Sequence, residues 1–195
     1  PFLLAGTIVY VLLSGSLMEM TRERSVRMAM DMAALIDANL MQEIKLASSI
    51  AADPTVVRAS RSGDYRHVQA KLEALYKRIG RPFFTLFVLD RKGIVRVDAQ
   101  FPRQMGVNLS DRDYFLRARE GKTSVTGPVP ARGPSTPGDP IVIVSAPIRE
   151  DNEFHGVVCI PFDPNFLGAI VSQVRTGKTG YAYLVNSEGL VLAHP

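Results

Sequence analysis

The feature that most constrains the fold is a long run of residues, 19–52, that contains neither proline nor glycine. Its apolar residues recur in a seven-residue pattern, with further apolar residues between them, which predicts one continuous amphipathic helix. Such a helix either packs along a domain or pairs with a second copy of itself. Asp53-Pro54 ends the helix, because the residue before a proline avoids helical geometry. The apolar stripe consists of Val26, Met30, Ala33, Ile36, Leu40, Ile44, Ala47 and Ala51.

The segment before this helix carries no charge. Residues 1–18 are predominantly apolar, and a membrane-spanning helix needs roughly 17–25 such residues. We expect a truncated transmembrane helix here, continuous with a stalk at 19–52, and we expect further residues upstream because the sequence begins at Pro1 without methionine. A buried core helix and a signal peptide are the alternatives, although the following "SLMEMTRERS" offers no convincing cleavage site.

Composition and charge narrow the class of protein. An apolar share of 46% and a charged share of 22% over 195 residues are typical of a folded protein. The net charge of +4 comes largely from arginines interleaved with acids, so we do not expect nucleic-acid binding. The single Cys159 excludes an internal disulfide. We predict no catalytic set and no cofactor, since no Gly-x-Ser-x-Gly nucleophile elbow is present. We predict no metal site, because the histidines lie far apart with no cysteine or acid at ligand spacing. They are His67, His155 and His194.

Two more helices are indicated in the middle of the sequence. One is predicted at 64–79, where apolar residues form one face and Gly80 provides a C-terminal cap. A short helix is predicted at 111–119. Ser110 and Asp113 have the spacing of a capping box at its start, with aspartate in place of the usual glutamate.

Strands fill most of the remaining sequence. A hairpin is predicted from "FFTLFVLD" and "IVRVDA", a short strand from "TSVTG", and a second hairpin from "IVIVSAPI" and "FHGVVCIPF". Residues 127–140 are dense in proline and glycine and are predicted to be a loop, and Asp163-Pro164 opens a last helix. We therefore predict an α+β fold, with one antiparallel sheet of about five strands flanked by helices. Its face away from the stalk can carry a pocket, covered by the short helix and the loop.

Two segments, 87–99 and 183–195, carry nearly the same pattern at an offset of 96 residues (189 − 93). Each has an aromatic residue, an apolar pair, an Asx residue that starts a turn, a glycine suited to positive φ, and apolar residues after it. Any two hairpins share part of this pattern, but the match along the whole segment favours a duplicated module. The second copy breaks off after its first hairpin, so we expect the sequence to end inside a second module.

Three stretches resemble a known family. They are "GVNLSDRDYFLRAREGKTSVTGPV", "PIVIVSAPIREDNEFHGVV" and "GKTGYAYLVNSEGLVLAHP". Together they resemble the double Cache (dCache) sensor domain, the extracytoplasmic ligand-binding domain of many bacterial chemoreceptors, sensor histidine kinases and diguanylate cyclases. The resemblance covers roughly residues 20–195 and lies mainly in the order of the motifs.

The resemblance implies two PAS-like modules on a long N-terminal helix, in a receptor of the bacterial inner membrane. It assigns residues 53–171 to a membrane-distal module that binds a small molecule, and residues 172–195 to the start of a truncated membrane-proximal module. Residues 1–18 are then the transmembrane helix, and residues 19–52 a stalk that pairs in a homodimer and changes its packing when ligand binds. A cytoplasmic histidine kinase of a two-component system is the favoured output, with a diguanylate cyclase and a chemoreceptor still open.

The segment "SDRDYF" is where this family often meets its ligand. Arg112 can offer a bidentate fork to a carboxylate, Tyr114 a hydroxyl and a ring, and Phe115 a wall. Alternatively, Tyr114 and Phe115 are core residues, the favoured role for Phe115, and Arg112 pairs at the surface with Asp111 or Asp113. Strand hydroxyls complete the candidate ligand-binding set, namely Ser124, Thr126 and Ser145.

The amino-acid-binding subset of the family carries Arg-x-Trp-Tyr at this point, with an upstream tyrosine and a late aspartate. Here the motif is Arg112-x-Tyr114-Phe115, and Val107 and Pro161 occupy roughly the other two positions. A carboxylate for an α-ammonium group is therefore not evident, and we expect a small carboxylate ligand that is not an α-amino acid. The alternative function is a membrane-anchored extracytoplasmic enzyme or a ligand-free structural or interaction module.

Overall fold

Helices and strands follow one long N-terminal helix in the computed structural model. The structure describes residues 2–80, 83–133, 137–176, 180–186, 189 and 191–194. The helices are α1 (Phe2–Ala51), α2 (Pro54–Ser62), α3 (Arg66–Ile79), α4 (Asp113–Arg119) and α5 (Asn165–Val171), with a 3-10 turn at Pro102–Gln104. The strands are β1 (Phe87–Asp90), β2 (Val95–Asp98), β3 (Ser124–Val125), β4 (Val129–Pro130), β5 (Pro140–Glu150), β6 (Glu153–Phe162), β7 (Arg175–Thr176), β8 (Gly180–Tyr181), β9 (Leu184–Val185) and β10 (Val191–Ala193).

The helix α1 confirms the continuous helix predicted for 19–52. Its C-terminal turns pack on the domain, since Ala47, Ile50 and Ala51 are buried in the core beneath the sheet. The helix is therefore packed along the domain at this end. Farther toward its N-terminus it exposes large apolar side chains, among them Leu17, Met18, Met20, Val26 and Met30.

Within the residues that the structure describes, no helix has the length and apolarity needed to cross a membrane. The transmembrane helix predicted at 1–18 stays a prediction.

A helix that was not predicted from the sequence, α2, follows α1 after a single break. Asp53-Pro54 ends α1 as expected, but it also starts α2. Asp53 Oδ1 accepts hydrogen bonds from the backbone N–H groups of Thr55 (2.9 Å) and Val56 (3.4 Å), and Pro54 fits the first helical position. Lys71 of α3 donates to the other carboxylate oxygen at 2.5 Å. The same dipeptide therefore acts as a stop signal and as an N-terminal cap.

A single antiparallel sheet lies at the centre, with strand order β2-β1-β6-β5-β3 and β4 paired to β5. It confirms the predicted α+β fold. The extra strand β4 lies inside the segment 127–140 that was predicted to be only a loop, and it pairs Val129 with Ile141 and Pro130 with Pro140. Prolines are tolerated in this pair because β4 is a short edge strand.

The two faces of the sheet belong to separate cores. Helices α1, α2 and α3 cover one face, and α4 covers the other. Because side chains alternate along a strand, β5 presents Val142 and Val144 to the first core and Ile143 to the second. A shift of β5 therefore changes the packing of both cores.

The repeated hairpin has the same geometry in both copies. The turn glycines Gly93 and Gly189 have φ angles of 79° and 81°. Each donates its N–H to the carbonyl of the Asx residue three positions earlier, at 2.9 Å and 3.0 Å. Equal turns and equal register support a duplicated module, while the predicted division at 171–172 stays a prediction. The matching pairs are Leu89 with Val95 and Val185 with Val191, and Val88 with Val97 and Leu184 with Ala193.

Candidate ligand-binding site

A cavity lies between the α4 face of the sheet and the proline-rich segment around β4. A pocket was predicted at this position from the sequence. We call residues 127–133 and 137–139 of this segment the strap. The cavity volume is about 30 Å³, room for about one water molecule, so a small organic ligand fits only if lining side chains move. The lining residues are Phe84, Thr85, Phe87, Phe101, Gln104, Leu109, Arg112, Tyr114, Val129, Pro130, Ala131, Arg132, Gly133, Ile141, Ile143 and Pro161.

The backbone before α4 places Arg112 at this cavity. Leu109 donates its N–H to the carbonyl of Gly93 in the first hairpin turn at 2.8 Å, and Arg112 donates its N–H to the carbonyl of Leu109 at 3.1 Å. Arg112 is the N-cap residue, with extended φ and ψ of −74° and 137°. The predicted capping box of Ser110 and Asp113 is therefore wrong, because residues 109–112 form a turn and the helix begins only at Asp113.

Arg112 bonds the strap instead of a neighbouring acid. Its Nη2 donates to the carbonyl oxygen of Pro130 at 2.9 Å. The alternative of a surface ion pair does not hold, since Asp111 pairs with Arg132 and Asp113 with Arg117. Arg112, a half-buried residue, therefore lines the cavity, and its guanidinium makes one hydrogen bond among the described residues.

The two aromatic residues of the motif have different surroundings. Tyr114 is buried and lines the cavity. Burial raises the pKa of its phenol, so the hydroxyl stays neutral and can donate a hydrogen bond. Phe115 is buried in the second core, where its ring meets Phe154 edge-on at 5.8 Å. Phe115 is not among the lining residues, in agreement with the core role favoured from the sequence.

The three strand hydroxyls lie outside the described cavity lining. Ser124 and Ser145 face each other across β3 and β5, with their hydroxyl oxygens 3.0 Å apart. Thr126 Oγ1 accepts the N–H of Ile143 at 3.0 Å. All three hydroxyls have partners within the fold, and the structure does not bring them together with Arg112.

Three further polar residues line the cavity that were not predicted from the sequence: Thr85, Gln104 and Arg132. Arg132 lies in the strap, within the segment assigned to loop. A lone arginine in a proline-rich loop was a weak signal, and only the pairing of β4 with β5 brings it to the cavity. Two arginines therefore line the site, Arg112 and Arg132.

A buried carboxyl group, that of Asp98, lies beside the cavity and bonds one of its lining residues, Thr85. Asp98 has no exposed surface, and it pairs with Phe87 across β1 and β2, so both side chains share the cavity face of the sheet. Its Oδ1 accepts hydrogen bonds from Thr85 Oγ1 (2.6 Å), Phe101 N (2.7 Å) and Gln100 N (3.0 Å). Its Oδ2 has no partner among the described residues. Burial raises the pKa of Asp98 despite these three hydrogen bonds.

We expect the stability of an Asp98→Asn variant, relative to the wild type, to increase with pH. A buried acid with a raised pKa stabilises the fold below its ordinary pKa of 3.8, and this contribution is lost as pH rises through the raised value. Asparagine does not ionise and shows no such loss. The difference in unfolding free energy should grow by about 1.4 kcal/mol for each unit by which the pKa is raised. Denaturant unfolding at several pH values measures this, and a difference that stays constant from about pH 4 to about pH 7 would contradict it.

Metal or thiol chemistry finds no support in the described part of the chain. No three side chains of histidine, cysteine, aspartate or glutamate are grouped there closely enough to hold a metal ion. Cys159 is a buried free thiol in β6, and burial raises its pKa well above the ordinary value, which keeps it unreactive.

Comparison with known proteins identifies the fold. The family model described as a Cache domain, of the dCache type, matches residues 15–195. The chain belongs to the Cache domain family. Cache domains of this type are extracytoplasmic sensor domains of membrane receptors, which bind ligands and are not themselves catalytic. The predicted sensory role of the region is therefore confirmed.

Individual relatives of this Cache domain come from chemoreceptors and histidine kinases. The methyl-accepting chemotaxis protein McpA of Bacillus subtilis is 26% identical over 122 residues, which are 62% of this chain and 18% of McpA. The ligand-binding domain of the Pseudomonas fluorescens chemoreceptor CtaA, in complex with L-serine, has a TM-score of 0.64 and 24% identity, covering 84% of this chain and 67% of CtaA. The sensor domain of the Vibrio cholerae histidine kinase DctB has a TM-score of 0.64 and 19% identity. The match covers 77% of this chain and 58% of the DctB chain. At these identities the likeness to solved structures establishes the fold.

Proposed function

We propose that this Cache domain senses a small organic carboxylate, which binds in the cavity with its carboxylate group on Arg112. The observation that carries the proposal is an arginine among mostly apolar lining residues, whose guanidinium makes one described hydrogen bond, to the carbonyl of Pro130. Guanidinium is a planar fork of five N–H donors that matches a carboxylate in two-point geometry. The neutral hydroxyl of Tyr114 lines the same cavity and can donate a further hydrogen bond.

The lining favours a carboxylate without an α-ammonium group. None of the described lining residues is aspartate or glutamate, and a buried ammonium group without a carboxylate partner is costly. Pro161 lies in the lining, and by the family resemblance it stands roughly where the amino-acid-binding subset carries aspartate. The CtaA complex with L-serine is evidence against this restriction, because a domain of similar fold binds an amino acid. Amino acids therefore belong in the test.

A route from the cavity to the stalk runs through β5. Ile143 lines the cavity, while its neighbour Val144 lies in the core that contains Ala47 and Ile50 of α1. A ligand that moves β5 therefore changes the packing of α1, provided that it binds one arrangement better than the other. In this proposal α1 is anchored in the membrane and pairs with a second copy through its exposed apolar side chains.

Calorimetric titration with matched acids tests the ligand class. Propionate differs from L-alanine, and succinate from L-aspartate, by an α-ammonium group alone. We expect at least one carboxylate to bind about tenfold or more tightly than its matched amino acid, because the ammonium group finds no carboxylate in the lining. Tighter binding of L-alanine or L-aspartate than of the matched acid would contradict the proposal.

A further inference from the structure

The second guanidinium of the cavity is held by an acid of the same chain. Arg132 Nη1 donates to Asp111 Oδ1 at 2.5 Å, and Nη2 to Oδ2 at 2.7 Å. This is the two-point geometry in which arginine binds a carboxylate ligand. In the structure the carboxylate of Asp111 therefore occupies the position on Arg132 that an anionic group of a ligand would use.

The pair also fastens the strap to the start of α4. Asp111 and Arg112 are adjacent residues, and both bond the strap, one at Arg132 and the other at the carbonyl of Pro130. Arg132, Pro130 and Arg112 all line the cavity. A ligand carboxylate that binds Arg132 in this two-point geometry must therefore displace Asp111, whereas Arg112 has donors beyond the one that bonds Pro130.

The Asp111–Arg132 ion pair is built so that a competing anion can replace Asp111. The side chains of Arg132 and Asp111 are 42% and 61% exposed, and exposed ion pairs contribute little net stability. The hydrogen bond from Arg132 lowers the pKa of Asp111 to about 2, so its carboxylate is ionised and competes throughout the neutral range. The pair is thus formed in the absence of ligand but costs little to open.

We propose that Asp111 is a built-in competitor for the ligand: its carboxylate binds Arg132 until the second anionic group of a dianionic ligand displaces it. This inference rests on the proposed carboxylate site at Arg112. A monocarboxylate binds Arg112 and leaves the Asp111–Arg132 pair intact. A dicarboxylate binds both arginines and releases Asp111 from the strap, so Asp111 sets how strongly the cavity distinguishes the two classes.

Titration of propionate and succinate into the 195-residue chain and its variants tests the inference. In Asp111→Asn, succinate should bind about two- to fivefold more tightly, the range that an exposed ion pair represents, and propionate should be unchanged. In Arg132→Gln, succinate should bind about tenfold more weakly, and propionate again as in the wild type. In the double variant the Asp111 substitution should have no further effect on succinate.

The alternative is that the pair only holds the cavity in shape. In that case Asp111→Asn would weaken both acids, or leave succinate unchanged, and either result would overturn the inference while the carboxylate site stands. Equal effects of Arg132→Gln on propionate and succinate would overturn it as well. No binding of either acid to any form of the protein would overturn the inference together with the proposed function. Thermal unfolding of each variant confirms that it is folded before it is titrated.

Discussion

Replacing Gly93 by alanine is expected to lower the free energy of unfolding by about 2–5 kcal/mol. Gly93 has a φ angle of 79°, and a residue with a Cβ atom pays roughly 1–2 kcal/mol for this conformation. The added Cβ would also lie 2.6 Å from Ser110 Cα and 2.8 Å from Ser110 N, which are backbone atoms that cannot rotate away. The segment before α4 must therefore move, at a further cost of about 1–3 kcal/mol.

Gly63 provides the matched control. It ends α2 with a φ angle of 81°, and an added Cβ would meet no described atom within 4 Å. Gly63→Ala should therefore lose only the conformational part, roughly 1–2 kcal/mol. Denaturant unfolding of the two variants separates the cost of the positive φ angle from the cost of the clash with Ser110. Equal decreases in the free energy of unfolding would show that Ser110 does not clash with the added Cβ atom. The carbonyl of Gly93 accepts the N–H of Leu109, which lines the cavity. Gly93→Ala should therefore weaken ligand binding, whereas Gly63→Ala should not.

Replacing Arg112 by glutamine is expected to weaken carboxylate binding about 30- to 1000-fold. The range corresponds to roughly 2–4 kcal/mol, the value of two charge-assisted hydrogen bonds that are partly shielded from water. Glutamine keeps a donor that can reach the strap, but it has neither the charge nor the fork. Calorimetric titration with the tightest-binding acid measures the loss.

Arg117 is the control for Arg112 because it lies on α4, the short helix that Arg112 precedes as the N-cap residue. Its guanidinium pairs with Asp113 at 2.6 Å on the exposed surface, and it is not among the cavity residues. Arg117→Gln changes the net charge of the protein by the same amount and should alter affinity about twofold at most. If both variants lost affinity equally, the effect would come from general electrostatic attraction, and Arg112 would not be the binding group.

Local patterns in the sequence were sufficient for the elements that depend on neighbouring residues. The run at 19–52 predicted α1, and the repeated turn pattern predicted two hairpins with the same register. Asp53-Pro54 was interpreted as a stop signal alone, although aspartate followed by proline is also a strong helix start, and α2 was missed for this reason. The α4 cap was misplaced because a turn at residues 109–112 precedes the helix.

The features that could not be predicted depend on contacts between distant parts of the chain. Strand β4 has two residues in a proline-rich segment, and only its pairing with β5 makes it a strand. Arg132 reaches Asp111 across 21 positions of sequence, so no local pattern marks either as part of one site. Arg112 and Tyr114, by contrast, follow from the family motif, and both line the cavity.

The most direct test of the carboxylate site is a crystal structure of the protein with the acid that binds most tightly in the calorimetric series. The proposal predicts that the acid lies in the cavity between α4, the strap and β5, with its carboxylate oxygens within hydrogen-bond distance of the Arg112 guanidinium. An acid bound elsewhere on the protein, with Arg112 still bonded only to the carbonyl of Pro130, would contradict it.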